Sequence, residues 1–288
     1  MNDQHESAGL SSTYLRASTS SFTEFVRMVA PQTLPGARLE SLKGQAAGTG
    51  GHSASLTAHA TTIVTLCYDG GVVMAGDRRA TAGSMIAQND IEKVFAADEY
   101  SLIGMAGAAG IGIELIKLFQ LELEHYEKIE GAPLSLVGKA NRLASMLRQN
   151  LGLAMQGFAV VPLFAGWDEA EQRGRIFSYD PSGGRYEERS YHSIGSGSVF
   201  AKGSIKKLYD PAATVEQAIT TAVQALYDAA EDDSATGGPD LARRIYPVVR
   251  TADAEGTERI SDDEVGAIVE QVVGARRERP DGPRAATV

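Results

Sequence analysis

A chain of 288 residues, 43% of them apolar, suits one large domain or two small ones and supplies a sizeable core. Lys and Arg total 27 against 37 Asp and Glu, a formal net charge of -10, so strong attraction to phosphate backbones is not expected and nucleic acid is not a predicted partner. The single Cys67 excludes an intrachain disulfide framework. No window has the apolar length of a membrane span and the N-terminus lacks the basic and apolar regions of a signal peptide, so a soluble cytoplasmic protein is expected.

Residues 1–58 hold clusters of Ser, Thr, Gly and Ala around one modest apolar patch at 22–30 and read as a loosely ordered leader. From Thr61 the pattern changes to short β-rich runs at 61–68, 72–75, 91–96 and 101–105. The turn Asp69-Gly70-Gly71 separates the first two, and two hairpins are predicted. Cys67, inside the first run, is expected to be a buried structural thiol. After the glycines of 104–112 the period becomes helical, with Leu115, Leu118, Phe119, Leu123 and Tyr126 on one face up to Gly131 and Pro133. Leu136, Ala140, Leu143, Leu147 and Leu151 repeat it. Strands return at 158–167, 175–179 and 185–194, and two helical stretches follow, the clearer carrying Val215, Ile219, Val223, Leu226 and Ala230 on one face. A strand at 245–250, a helix at 264–275 and a flexible tail from about residue 277 complete the reading. Two sheets cannot both expose apolar faces to water, so this order predicts an α+β fold: a four-layer αββα sandwich of two mainly antiparallel sheets.

Six segments carry the chemistry. His59-Ala60-Thr61-Thr62-Ile63-Val64 is followed by Gly76-Asp77-Arg78-Arg79, Glu92-Lys93-Val94 and Gly104-Met105-Ala106-Gly107. Gly195-Ser196-Gly197-Ser198 and Asp232-Asp233-Ser234-Ala235-Thr236-Gly237-Gly238 come later. Taken singly, each has a plain reading: β-branched residues opening a strand, a charged turn, a solvated lysine. In this order and spacing they resemble the proteasome β family, specifically the precursor of a 20S proteasome β subunit of actinobacterial type, an N-terminal nucleophile hydrolase. The resemblance runs from about Thr61 to the last helix.

The resemblance implies a propeptide, residues 1–60, removed autocatalytically between Ala60 and Thr61, and a catalytic domain over 61–288. Members usually have glycine where this chain has Ala60; if the turn there needs positive φ, alanine costs about 1–2 kcal/mol. Thr61 would be the nucleophile and Gly107 would offer its amide to the oxyanion. Ser196, Asp233 and Thr236 would surround the terminal amine. Ala80, Ile91, Met105 and Ala109 would line the pocket for the residue before the scissile bond, and Thr81 would pair with the substrate backbone as an added strand. All four pocket positions are apolar, which predicts cleavage after apolar residues. The implied partners are proteasome α subunits, further copies of the chain in seven-membered rings (α7β7β7α7), a ring-shaped ATPase or other activator, and unfolded protein substrates.

The chemistry is intelligible from the residue types. A threonine hydroxyl is a weak nucleophile and needs an adjacent base. An N-terminal threonine carries its own, because a free α-amino group has a reference pKa of about 7.7–8.0. A Lys93 cation nearby would disfavour the protonated amine and lower the proton affinity of the hydroxyl, with Asp77 orienting and compensating it.

Other readings fail on the residues. Leu115 stands where a dinucleotide loop starting at Gly110 needs its third glycine. Ser196 and Ser198 lie in no G-x-S-x-G elbow. No pair among the five histidines has metal-ligand spacing, so neither metal nor cofactor is expected. Lys202, Lys206 and Lys207 read as a solvated helical face or a subunit contact. A noncatalytic assembly subunit would typically lose the threonine or the lysine, and the six-membered-ring bacterial relative would lack a long leader.

Overall fold

The computed structural model describes residues 22–31 and 61–284, which fall into two units. One holds residues 22–31 and Glu114–Leu134. Its first element is helix α1 (Phe22–Val29), in a segment whose composition suggested only a loosely ordered leader. Its second is most of helix α2 (Ala109–Glu130), whose predicted apolar face is buried at Leu115, Leu118, Phe119 and Leu123 and half-buried at Tyr126. The Phe22 and His125 rings stand 5.7 Å apart.

The other unit, from Thr61 to Ile113 and from Ser135 onward, is built on two five-stranded antiparallel sheets. The first contains β1 (Thr62–Tyr68), β2 (Gly71–Gly76), β10 (Tyr191–Gly195), β11 (Val248–Asp253) and β12 (Gly256–Arg259), in the order β10-β1-β2-β11-β12. The second contains β5 (Val94–Asp98), β6 (Ser101–Gly107), β7 (Val160–Asp168), β8 (Arg173–Tyr179) and β9 (Arg185–Glu188) in sequential order. A short hairpin of β3 (Ala80–Ala82) and β4 (Met85–Gln88) stands apart from both. Both predicted hairpins are present, β1 with β2 and β5 with β6.

The strands of the first sheet alternate between two cores. Ile63, Val72 and Met74 join Val94, Leu102, Leu163 and Ile176 of the second sheet in the core between the sheets. Their neighbours Val64, Leu66, Val73 and Ala75 face the opposite way, against α5 (Ser198–Leu208), α6 (Val215–Asp232) and α7 (Asp262–Glu278). Period-2 alternation turns successive side chains to opposite faces, so a sheet covered on both sides reads as a continuous apolar run. On the outer face of the second sheet lies α3 (Leu136–Gln149), followed by the single turn α4 (Leu151–Ala154). Tyr179 Oη donates to the Ala140 carbonyl at 2.9 Å and Lys139 Nζ pairs with Asp98 at 2.6 Å. The layer order within this unit is thus helix, sheet, sheet, helices: the expected αββα sandwich. Reciprocal capping boxes fix two of the helix starts, Thr214 with Gln217 on α6 and Ser261 with Glu264 on α7.

Two expectations change. The run 185–194 is not one strand: it breaks at Arg189 and Ser190, and its halves belong to different sheets, because the chain crosses there from the second sheet to the first. Cys67 is half-buried, its Sγ donating to the Gly174 carbonyl at 3.5 Å, and burial pushes the thiol up to about 11, which makes it unreactive at neutral pH. The C-terminal helix runs from Asp262 to Glu278 and is tied to the body by an ion pair from Arg276 to Asp228. Among the described residues, no helix is long and apolar enough to cross a membrane.

Candidate active site

Antiparallel pairing brings the start of β1 beside the ends of β2 and β10, since Thr62 pairs with Gly195 and Ile63 with Gly76. The second sheet comes close at the same end: a Cβ built on Gly76 would lie 2.9 Å from Val94 Cγ2 and 3.8 Å from Lys93 Cβ. The sandwich therefore gathers Thr61, Asp77 and Lys93 from three separate segments of sequence. Thr61 is 4% exposed.

Asp77 is the hub. Its side chain is fully buried, and its Oδ1 accepts from the Thr62 amide at 2.8 Å and from Lys93 Nζ at 2.7 Å. Its Oδ2 accepts from the Arg79 amide at 3.0 Å and the Gly237 amide at 2.9 Å. Four donors on one carboxylate satisfy a charge that burial would otherwise make costly. Lys93 donates a second bond to the Arg79 carbonyl at 2.5 Å. Burial holds the Lys93 ammonium below its ordinary pKa and the Arg79 charge adds to that, while Asp77, and beyond it Asp233, work in the opposite direction.

A second cluster adjoins the first. Ser196 Oγ and Thr236 Oγ1 both donate to Asp233 Oδ2, at 2.5 and 2.6 Å, and the Ala235 amide donates to Oδ1 at 3.1 Å. Partial burial pushes the Asp233 carboxyl up, but the donors from Ser196, Thr236 and Ala235, with the Arg79 charge, outweigh it and hold the group below its usual range. Arg79 Nη1 donates to the carbonyls of Ser234, at 2.9 Å, and Thr236, at 3.2 Å, and so ties this loop to the segment after β2.

Gly107 ends β6 at φ +110, and a Cβ there would lie 2.2 Å from the Ala159 carbonyl oxygen. Strained backbone and steric overlap act together at this position. Gly107→Ala is expected to lower thermal stability by about 2 kcal/mol or more and to depress peptide hydrolysis, measured as Tm and kcat on one preparation. The five residues assigned to substrate contact lie on several segments. Ala80 and Thr81 open β3 directly after Arg79, and Ala109 opens α2 two residues beyond Gly107. The Ile91 amide donates to the Arg78 carbonyl at 3.0 Å, and the Met105 amide to the Lys93 carbonyl at 3.3 Å. Ala80, Thr81 and Met105 are buried, and Ile91 and Ala109 are half-buried.

The proteasome subunit family matches residues 57–240. The chain is 58% identical over 267 residues to the proteasome subunit beta of Acidothermus cellulolyticus, covering 91% of this chain and 89% of that one. It is 56% identical over 278 residues to the proteasome subunit beta of Streptomyces griseus, covering 96% of both.

The chain belongs to the proteasome family, as a β-type subunit. All seven residues that the resemblance singled out for catalysis, from Thr61 to Thr236, lie inside the matched segment. Geometry joins Asp77 with Lys93, and Ser196 with Asp233 and Thr236. Four residues of this proteasome site were given no role from sequence. Arg79 holds both clusters, Gly237 donates to Asp77, and a Cβ on Gly195, at φ +97, would lie 1.6 Å from the Thr61 carbonyl oxygen. Thr62, the fourth, bonds to both clusters. The signal was present in the motifs, since all four lie in the six quoted segments, but which atoms they meet is a property of the fold. Ala60, the other half of the expected cleavage point, lies outside the described residues.

Proposed function

We propose that the chain is a threonine endopeptidase subunit of a 20S proteasome core, with Thr61 as nucleophile once residues 1–60 are removed. The single observation carrying this reading is the buried Lys93–Asp77 pair, which Asp77 shares with the amide of Thr62, the residue next to Thr61. It places a compensated cation at the start of β1, which a noncatalytic ring subunit would not need.

The reaction follows from that placement. The freed Thr61 amine takes the proton of its own hydroxyl, and the oxygen attacks the peptide carbonyl. Lys93 favours the unprotonated amine and stabilises the developing alkoxide. The Gly107 amide donates to the oxyanion, collapse expels the amine product with the proton held by Thr61, and water then hydrolyses the ester. Ser196, Asp233 and Thr236 hold the terminal amine in place. While the leader is attached, Thr61 has an amide nitrogen and no base, so cleavage between Ala60 and Thr61 is the activating step. Ala80, Ile91, Met105 and Ala109 form an apolar pocket that selects apolar residues before the scissile bond, and Thr81 and Gly107 pair with the substrate backbone.

The chain assembles with α subunits into core rings, as its membership of the proteasome family supports; seven-membered rings, an activator that feeds unfolded proteins, and a cytoplasmic location are the finer proposal. One experiment tests the reading. Particles made from this chain and its α partner are reacted with a β-lactone or epoxyketone probe, and the β-chain N-terminus and labelled residue are read by mass. A chain beginning at Thr61 and labelled there is expected; a retained leader refutes the cleavage, and labelling elsewhere refutes the nucleophile. A fluorogenic panel checks specificity, with best cleavage after acidic or basic residues counting against the apolar pocket.

A further inference from the structure

Thr62 is fully buried, and the mechanism above gives it no part. Its amide donates to Asp77 Oδ1 at 2.8 Å. Its hydroxyl accepts from the Gly197 amide at 3.0 Å and lies 2.6 Å from Thr236 Oγ1. The direction of that last bond follows from counting protons. A hydroxyl has one proton to give, and that of Thr236 goes to the Asp233 carboxylate. Thr62 therefore donates to Thr236, and a one-way chain runs from the Gly197 amide through the Thr62 and Thr236 hydroxyls to Asp233 Oδ2, where Ser196 also donates. Hydrogen bonds in series polarise one another, and a buried chain of this kind fixes the group at its end. Gly197 is shaped to it: a Cβ there would lie 2.5 Å from Thr236 Oγ1 and 2.6 Å from Thr62 Oγ1, between the two hydroxyls.

We propose that Thr62 is a positioning residue whose hydroxyl orients Thr236 and Asp233 against the Thr61 amine, while its amide orients Asp77. This rests on Thr61 being the nucleophile. The residue after the nucleophile thus couples the two halves of the site, one through its amide and the other through its hydroxyl.

The test uses particles formed from the full chain and its α partner, with kcat and KM on a fluorogenic peptide expressed per Thr61 site titrated by a β-lactone, and Thr61→Ala particles as the blank. Thr62→Val keeps the shape and removes the hydroxyl. It is expected to lower kcat about tenfold with KM within about twofold. Thr62→Ser, which restores the donor, is expected to recover kcat to within about threefold. Adding Thr236→Val to Thr62→Val is expected to cost far less than Thr236→Val alone, because both break one chain. A residue that only filled space would change yield or melting temperature and leave kcat per titrated site unchanged. Unchanged kcat in Thr62→Val, with Thr61 labelled and the blank inactive, overturns the proposal and leaves the nucleophile assignment standing. Labelling at another residue overturns both. If the valine chain does not assemble, Gly197→Ala, which wedges a methyl between the hydroxyls at an ordinary φ of -81, is expected to give the same kcat loss, and wild-type kcat there overturns the proposal.

Discussion

Lys93→Met is expected to lower kcat for peptide hydrolysis by about 10²–10⁴-fold while the particle still assembles. Among the described residues the cation is the one positive side chain seen bonded to Asp77, and the proposed chemistry draws on it twice, to keep the Thr61 amine unprotonated and to stabilise the alkoxide. Methionine fills much of the same space without the charge. The cost in stability is the smaller effect, because Asp77 keeps three amide donors, from Thr62, Arg79 and Gly237, which still satisfy the buried carboxylate's hydrogen bonds. The pH profile separates this role from a packing role. Because burial depresses the Lys93 pKa, the cation is lost at a lower pH than an ordinary lysine would lose it. The wild-type profile of kcat/KM should rise as the Thr61 amine deprotonates and fall on the alkaline side before the ordinary lysine range. In Lys93→Met the residual activity should lack that alkaline fall.

Asp77→Asn is expected to damage both stability and activity. The amide keeps one acceptor oxygen, but its NH₂ group faces donors wherever it is turned, since both carboxylate oxygens accept two bonds each. Lys93, 5% exposed at its side chain, is left as a buried cation without its counter-ion. Breaking a buried pair from one side costs about 3–5 kcal/mol, which corresponds to a fall on the order of 10 °C in apparent melting temperature. Asp77 raises the Lys93 pKa, so its loss lowers that pKa further, and the alkaline limb of any remaining activity should move to lower pH. A variant that melts like the wild type would show that the four donors do not depend on the charge they meet.

The two substitutions probe parts of the protein that were legible in different degrees. Period-2 runs and helical faces locate most elements, and the alternation of Ile63 with Val64 and of Val72 with Val73 already contains two cores. The break at Arg189 and Ser190 was not legible, because residues on both sides have the same strand-like character and only sheet membership distinguishes them. Nor was the β3–β4 hairpin, whose second strand is exposed along its whole length and leaves little apolar periodicity to read.

At the site, the sequence by itself determined which side chains are present and in what order: a Thr-Thr-Ile start, an Asp, a Lys, a Gly, and a late Ser, Asp and Thr. That was enough to assign a family and a chemistry, because reactivity belongs to residue types. It could not determine contact. Thr62 and Thr236 are 174 positions apart, and Asp77 and Gly237 160, and nothing local records that their atoms meet. Those distances close only when β1 pairs with β2 and β10 and the second sheet packs beneath, since hydrogen bonds need positions good to a few tenths of an ångström and only a packed interior holds side chains that firmly. The tertiary structure alone therefore decided that Arg79, Gly195, Gly197, Gly237 and above all Thr62 belong to the site.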